Sequence, residues 1–113
     1  MNSRDKGARF ERQVAALFRE YGYENAHRTA QYCGKTGQAA DVEGVPGLHI
    51  ECKNQQRMAL YSWMEQAIRD NKDGKKPVVI HKANNMPILV TMPFDEWIEL
   101  FCEWDAGQIP FKE

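Results

Sequence analysis

The sequence predicts a mixed α/β fold in which helices pack on a central sheet. Segments with the apolar spacing of amphipathic helices alternate with short, apolar or alternating segments typical of strands, and turn signals separate them. The resulting order is α-β-β-β-α-β-β-α, which implies a mixed sheet with helices on it. A chain of 113 residues can bury one core but not two, so we expect a single domain over residues 1–113.

The first helix is defined by apolar residues that recur on one face. They are Phe10, Val14, Leu17, Phe18 and Tyr21. Asn2 or Ser3 is suited to cap the start of this helix, and Gly22 is suited to end it. At about 100° per residue, Glu11 lies only about 20° from Phe18. We therefore expect the Glu11 carboxylate at the edge of the core.

Three strands are predicted next, over NAHRTAQYC, AADVEGV and LHIECKN, with a turn between the last two. A two-residue loop there would set Asp41 opposite Cys52, on the core side. A three-residue loop over residues 45–47, with Gly47 left-handed, instead sets Asp41 opposite Glu51. We predict the second register because it buries Cys52 and gathers the charged side chains.

The rest of the chain predicts a second helix, two strands and a third helix. The second helix has its apolar positions at Leu60, Trp63, Met64, Ala67 and Ile68. It is expected to end near Gly74, and VVIHK and PILVTM follow as strands. Pro93 opens the third helix, whose core-facing residues are expected to be Trp97, Ile98, Leu100 and Phe101.

Bulk composition excludes several classes of protein. No apolar run approaches the roughly 18 residues of a membrane span, and the N-terminus lacks the apolar stretch of a signal peptide. Cys33, Cys52 and Cys102 have unrelated spacings, so we expect no disulfide framework and a cytoplasmic location. The net charge is −1, yet residues 1–94 carry 14 bases and 10 acids. This part of the chain is therefore suited to meet phosphates.

A set of ionisable residues indicates chemistry on phosphate. Asp41 and Glu51 are expected on neighbouring strands, Lys53 shares the face of Glu51, and the first helix supplies Glu11. Such carboxylates can bind Mg²⁺, and the main-chain carbonyl of Cys52 can add a further oxygen. A metal held in this way activates water and polarises a phosphoryl oxygen, while a lysine neutralises developing charge.

These residues also carry a resemblance. The pattern AD-x9-ECK, between a helix bearing GARFER and a second amphipathic helix, resembles the PD-(D/E)XK nuclease family, with Ala40 in place of the proline. The segment KGARFERQVAALFREYGY is similar to small Holliday junction resolvases of archaea and phages. The resemblance implies a restriction-endonuclease-like core and a metal-dependent DNA endonuclease. It further implies Mg²⁺, with Mn²⁺ as a substitute, and resolution of branched DNA in recombination and repair.

By this resemblance, Glu11, Asp41 and Glu51 are metal-site acids and Lys53 is the catalytic lysine. The residues expected near DNA are Arg9, Arg28, Gln31, Lys35, Thr36 and Gln38. Symmetric cutting of a four-way junction requires two sites, so we expect a homodimer. Apolar residues in MPILV and near the C-terminus (Trp104, Ile109, Phe111) offer surface for its interface.

Other interpretations compete with this one. Glu51 and Lys53 could occupy a solvated strand face with a weak cross-strand ion pair. The substrate could be a nick, flap or plain duplex instead of a junction, or the fold could bind DNA without cutting it. A zinc site built from His27, Cys33, His49 and Cys52 lacks Cys-x2-Cys spacing, and we reject it.

Overall fold

A computed structural model describes residues 2–29 and 39–108. Within these ranges the elements are α1 (Ser3–Glu20), β1 (His27–Arg28), β2 (Val42–Glu43), β3 (Leu48–Asn54), α2 (Leu60–Asp70), β4 (Lys76–Lys82), β5 (Leu89–Thr91) and α3 (Phe94–Ala106). The strands form one sheet in the order β1-β2-β3-β4-β5. Only β3 and β4 run parallel, and the other neighbours are antiparallel. The predicted mixed α/β fold is confirmed.

Helices α1 and α2 cover opposite faces of the central strands. On one face, Phe10 and Val14 of α1 pack against Ile50 of β3 and Ile80 of β4. On the other face, Trp63 and Ala67 of α2 pack against Val79 of β4. Each fully buried aliphatic or aromatic side chain contributes about 1.5–3 kcal/mol relative to exposure. The sheet is therefore held from both sides by apolar contact.

Successive side chains of β3 point alternately to the face covered by α1 and to the face covered by α2. Residues paired across a sheet share a face, and Glu51 pairs with Val79 whereas Cys52 pairs with Ile80. Cys52 therefore faces α1 and Glu51 faces α2. The pairing of Val42 with Ile50 sets Asp41 opposite Glu51, and Gly47 has a φ of 78°. The register predicted from the three-residue loop is confirmed.

The ends of α1 follow the sequence prediction, whereas the end of α2 does not. The Asn2 side chain accepts a hydrogen bond of 2.9 Å from the Asp5 N–H. Gly22 follows the helix with a φ of 99°, as a C-terminal glycine should. Helix α2 ends at Asp70 with Asn71 as its C-cap, so the prediction that Gly74 ends it is wrong. The Asn71 side chain hydrogen-bonds the backbone of Lys75, so Gly74 (φ 68°) lies within the turn that follows the helix.

Helix α3 departs most from the prediction. None of its residues is buried, and Trp97 and Phe101, expected in the core, are 44% and 40% exposed. The helix is tied to the sheet by the Lys76 ammonium, which lies 3.0 Å from Glu96 Oε1 and 2.6 Å from Glu99 Oε1. Its polar side is thus turned toward β4, which leaves its aromatic residues outside the core. Of the strand predicted over NAHRTAQYC, the described residues form a strand only at His27 and Arg28 (β1), and residues 30–33 lie outside the described ranges.

The β2–β3 loop supports a test of the register. A Cβ at Gly44 (φ 88°) would collide with the backbone carbonyl of Asn25, whereas a Cβ at Gly47 (φ 78°) would meet nothing within 4 Å. Both Gly→Ala variants carry a left-handed cost of about 1–2 kcal/mol, and only Gly44→Ala adds a backbone clash. We therefore expect Gly44→Ala to lose markedly more stability than Gly47→Ala in urea unfolding. Equal losses would contradict the close approach of this loop to the β1 side.

Candidate active site

A polar cavity of about 630 Å³ lies at the C-terminal end of β3. The first turns of α1, the loop after β3 and helix α2 enclose it. Its ionisable and thiol-bearing wall comprises Lys6, Glu11, Asp41, Glu51, Cys52, Lys53 and Arg57. The structure therefore brings all five residues predicted for catalysis or metal binding to one cavity.

Asp41 is fixed to the strand beside it by its own carboxylate. Asp41 Oδ2 accepts a hydrogen bond of 2.8 Å from the Cys52 N–H, and the Asp41 N–H donates to the Ile50 carbonyl at 2.8 Å. The N–H and C=O of one strand residue point to the same edge. The Cys52 carbonyl therefore points to the edge where Asp41 lies. Two kinds of hard oxygen, from Asp41 and from the backbone, meet at this edge.

Glu51 is buried beside a histidine. Its side chain is 1% exposed, and its Oε2 lies 2.9 Å from His49 Nε2, which is also buried. Both residues face α2, two positions apart on β3. The alternative of a solvated strand face is therefore wrong for Glu51. A carboxylate in this position needs polar partners, since burial of an unpaired charge is costly.

Glu11 approaches the cavity from the other side of the sheet. It lies on α1, and its Oε1 is 2.7 Å from Arg28 Nε on β1. Glu51 faces α2, so the two carboxylates line one cavity from opposite faces. Among the residues that the structure describes, no group of three or more His, Cys, Asp or Glu side chains is gathered closely enough to hold a metal ion. The assignment of Glu11, Asp41 and Glu51 as metal-site acids therefore stays a prediction, with all three lining the same cavity.

Lys53 and Gln66 complete the wall near the acids. Lys53 is half-buried and shares the face of Glu51, and its partner across β4 is His81. Burial lowers the pKa of His81, which favours the neutral imidazole. A neutral neighbour does not repel the Lys53 ammonium. Gln66 of α2 also lines the cavity, where its amide can donate to a bound group.

Several residues of the cavity wall were not identified from the sequence. They are Ser3, Lys6, Gly7, Asn54, Gln55, Gln56 and Arg57. The run NQQR, which begins at the last residue of the strand bearing Glu51 and Lys53, was a signal for the last four, because a polar loop after that strand must border the same site. Lys6 lies about 140° from Glu11 at 100° per residue, so helical spacing alone did not join them.

Of the residues predicted to contact DNA, Arg9 and Arg28 lie within the described ranges. Arg28 contacts Glu11, and Arg9 is exposed on α1 outside the cavity wall. Gln31, Lys35, Thr36 and Gln38 lie outside the described residues. Of the rejected zinc set, His27 is exposed beside Glu43 at 3.4 Å, and His49 and Cys52 face opposite sides of the sheet.

The PD-(D/E)XK class of nucleases is defined by a five-stranded mixed sheet between helices, with an Asp–Glu pair and a following lysine at the end of a central strand. The sequence profile of the family described as "Phage putative PDDEXK endonuclease" matches residues 2–110. This chain belongs to that family.

The fold is also similar to a solved resolvase. The Holliday junction resolvase Hjc of Archaeoglobus fulgidus superposes with a TM-score of 0.53 at 20% sequence identity, over 76% of each chain. At this identity the similarity concerns the fold. No curated protein sequence matches the chain. In the described ranges, none of the helices has both the length and the apolar character to cross a membrane.

The His49–Glu51 contact can be measured by a double-mutant cycle. We expect His49→Phe and Glu51→Leu each to destabilise the protein, because each leaves a buried polar partner behind. The double variant should lose less than the two single losses combined, with a coupling of about 0.5–3 kcal/mol. Urea unfolding at pH 7 measures all four proteins.

The exposed pair His27–Glu43 is the matched control. Its side chains are 59% and 48% exposed, so the coupling measured with His27→Ala and Glu43→Ala should lie near the low end of about 0–1 kcal/mol. Strict additivity at positions 49 and 51 would show that the buried contact does not stabilise the site.

Proposed function

We propose that this protein is a metal-dependent DNA endonuclease that cuts branched DNA, with its active site in the cavity at the end of β3. One observation carries the proposal: Asp41, directly before β2, lines one cavity together with Glu51, Cys52 and Lys53 of β3, in the order typical of the family to which the chain belongs. We further propose that residues 1–113 act as one nuclease unit in the cytoplasm of a phage-infected cell.

The donor chemistry of the cavity fits a divalent cation. Mg²⁺ is commonly held by one or two carboxylates, with water and substrate phosphate completing its shell. Asp41 and Glu51 supply two carboxylates, and the Cys52 carbonyl points to the same edge as Asp41. Three clustered acids are therefore not required. In this proposal Asp41, Glu51 and the Cys52 carbonyl hold the ion, and Mn²⁺ can replace Mg²⁺.

Glu11 has a supporting place in the site. It lines the cavity on the α1 side and is engaged by Arg28 at 2.7 Å. We propose that it adds negative charge around the ion and that its link to Arg28 places a guanidinium near the DNA backbone. Removal of the Glu11 charge should therefore weaken metal binding less than removal of Asp41 or Glu51.

Lys53 is the catalytic lysine in this proposal. A bound divalent ion would polarise the scissile phosphate and acidify a water molecule. Lys53 lines the cavity on the Glu51 face, where its ammonium can stabilise the charge that develops on the phosphate. Lys6 and Arg57 border the same cavity, so phosphates beside the scissile one would also meet positive charge.

Metal binding can be tested without DNA. A ligand that binds only the folded state at about 100 times its Kd adds about 2.7 kcal/mol of stability, which raises the Tm of a small domain by many degrees. We expect Mg²⁺ and Mn²⁺ to raise the Tm of the wild type. The rise should disappear in Asp41→Asn and Glu51→Gln and shrink in Glu11→Gln.

Glu65→Gln is the control for the metal experiment, because Glu65 is an exposed acid on α2 outside the cavity wall. Its Tm should rise on metal addition as much as that of the wild type. If the Tm of Glu51→Gln also rose by that amount, the ion would bind elsewhere.

The substrate is tested with end-labelled DNAs of matched sequence: a four-way junction, a splayed fork, a linear duplex and a single strand. Each is incubated with Mg²⁺, Mn²⁺ or chelator. We expect paired, metal-dependent nicks across the junction. Lys53→Met should reduce the rate about 10²–10³-fold, the usual loss when one stabilising group is removed. The exposed Lys72→Met should cut at the wild-type rate.

The other outcomes separate the competing functions. Equal cutting of all DNAs would retain the nuclease and remove the junction preference. Cutting of the fork alone would indicate a flap nuclease. Binding of DNA and metal without cutting of any substrate would indicate a DNA-binding protein with this fold.

A further inference from the structure

The buried histidine of β4, His81, has one ring nitrogen without a partner. The residue is 3% exposed, and its Nε2 lies 2.8 Å from Thr91 Oγ1 on β5. Its Nδ1 is buried and has no hydrogen-bond partner among the residues that the structure describes. Buried polar atoms in folded proteins almost always have a partner, so this nitrogen calls for an explanation.

The imidazole of His81 is held in place from two sides. Thr91 contacts Nε2 from the neighbouring strand, and the Trp63 ring of α2 lies against the imidazole at a centroid distance of 5.9 Å. A hydroxyl group can donate or accept a hydrogen bond, so Thr91 is compatible with either tautomer of the ring. The group that meets Nδ1 therefore decides which nitrogen carries the proton.

Lys53 is the residue of β3 that pairs with His81. Side chains of paired residues point to the same face, and neighbouring strands lie about 4.8 Å apart, within reach of the flexible four-carbon stem of a lysine. The Lys53 ammonium has no hydrogen-bond or ion-pair partner within residues 2–29 and 39–108. A donor and a potential acceptor, each without a partner in the described chain, thus occupy adjacent positions.

A lone pair at Nδ1 fits the ammonium better than an N–H group would. Burial lowers the pKa of His81, so its imidazole is neutral at neutral pH and one of the two nitrogens is an acceptor. An N–H at Nδ1 would be repelled by the positive charge of Lys53, whereas a lone pair attracts it. The favoured tautomer therefore carries its proton on Nε2, which donates to Thr91 Oγ1.

We propose that His81 is a positioning residue for Lys53: its Nδ1 accepts a hydrogen bond from the Lys53 ammonium and thereby directs the other N–H groups into the cavity. An ammonium has three N–H donors, so two stay available for the scissile phosphate and the attacking water. His81 is not among the described residues of the cavity wall, so it acts through the lysine. The inference rests on the proposed function, in which Lys53 is the catalytic lysine.

A fixed orientation of the ammonium contributes to the rate of the reaction. Lysine has a long side chain with many rotamers, and a charge that is already in place stabilises a transition state better than one that must first be oriented. One hydrogen bond to a charged group corresponds to a change of about 10–100-fold in rate. Loss of the His81 acceptor should therefore be measurable as a loss of this size.

The first test distinguishes the two ring nitrogens by substitution. The amide oxygen of asparagine is as many bonds from Cα as Nδ1 is, and the amide oxygen of glutamine as many as Nε2. We expect His81→Phe and His81→Gln to lower the kcat of DNA cleavage about 10–100-fold, and His81→Asn to restore most of the rate. The KM for DNA and the metal-induced rise in Tm should stay as in the wild type.

A second test distinguishes positioning from a general loss of stability. In the Lys53→Met background, His81→Phe should cause no further loss of rate, because the group that it orients is gone. Val78→Ala removes a buried side chain from the opposite face of the same strand and is the matched control. It should lower the Tm and leave kcat unchanged. A further loss of rate in the Lys53→Met background, or equal rates for the three His81 variants, would overturn the proposal.

The contact can also be measured without DNA or metal, by ¹⁵N NMR of the histidine rings. We expect Nδ1 of His81 to resonate as an unprotonated ring nitrogen, and to shift in Lys53→Met but not in Lys72→Met, which alters an exposed lysine. A protonated Nδ1, or a His81 ring indifferent to Lys53→Met, would overturn the proposal. Because this measurement does not depend on cleavage, failure of the His81–Lys53 contact and failure of the nuclease are distinguishable.

Discussion

The hydrogen bond from the Cys52 N–H to Asp41 Oδ2 is the contact on which the candidate site depends. It joins a side chain that precedes β2 to the backbone of β3, beyond the last paired residues of the two strands. Because a slip of one residue turns every side chain of a strand to the opposite face, this contact and the Val42–Ile50 pair together determine which face receives Glu51. The same contact orients the Cys52 backbone. The Asp41 carboxylate thus fixes the position of β3 relative to the chain before β2, and it also lines the cavity.

The polar residues of the site are built into an apolar framework and do not lie on its surface. His49 and Glu51 are buried under α2, on a strand whose other face packs on α1. The requirement that buried polar groups have partners explains the pairing of Glu51 with His49 and of Glu11 with Arg28. These partners hold the Glu51 and Glu11 carboxylates in place. They also keep carboxylates of like charge apart across the sheet.

Much of the fold could be predicted because it follows from short-range patterns. The spacing of Phe10 and Val14 defined α1, and the left-handed Gly47 with the alternation of β3 defined the strand register. The burial of His49 and Glu51 could not be predicted, because it depends on where α2 packs, which alternation does not encode. The contact between Glu11 and Arg28 was also missed. Each residue was assigned separately, and 17 residues of chain separate them.

The interpretation of α3 was wrong for a different reason. The apolar spacing of Trp97 and Phe101 indicates that one side of the helix avoids water, but it does not indicate which molecule covers that side. A core and an exposed apolar surface can show the same pattern. The contacts of Lys76 with Glu96 and Glu99 turn the acidic side of the helix toward the sheet, so the apolar side of α3 lies outside the core.

The slight attachment of α3 has a consequence for the cooperativity of folding. Isolated helices shorter than about 12–15 residues are marginal in water, and α3 has 13 residues, none of them buried. Its backbone amides should therefore exchange with solvent by local opening, well before those of β3 and β4. The amides of the central strands, which α1 and α2 cover from both sides, should exchange only when the whole domain unfolds.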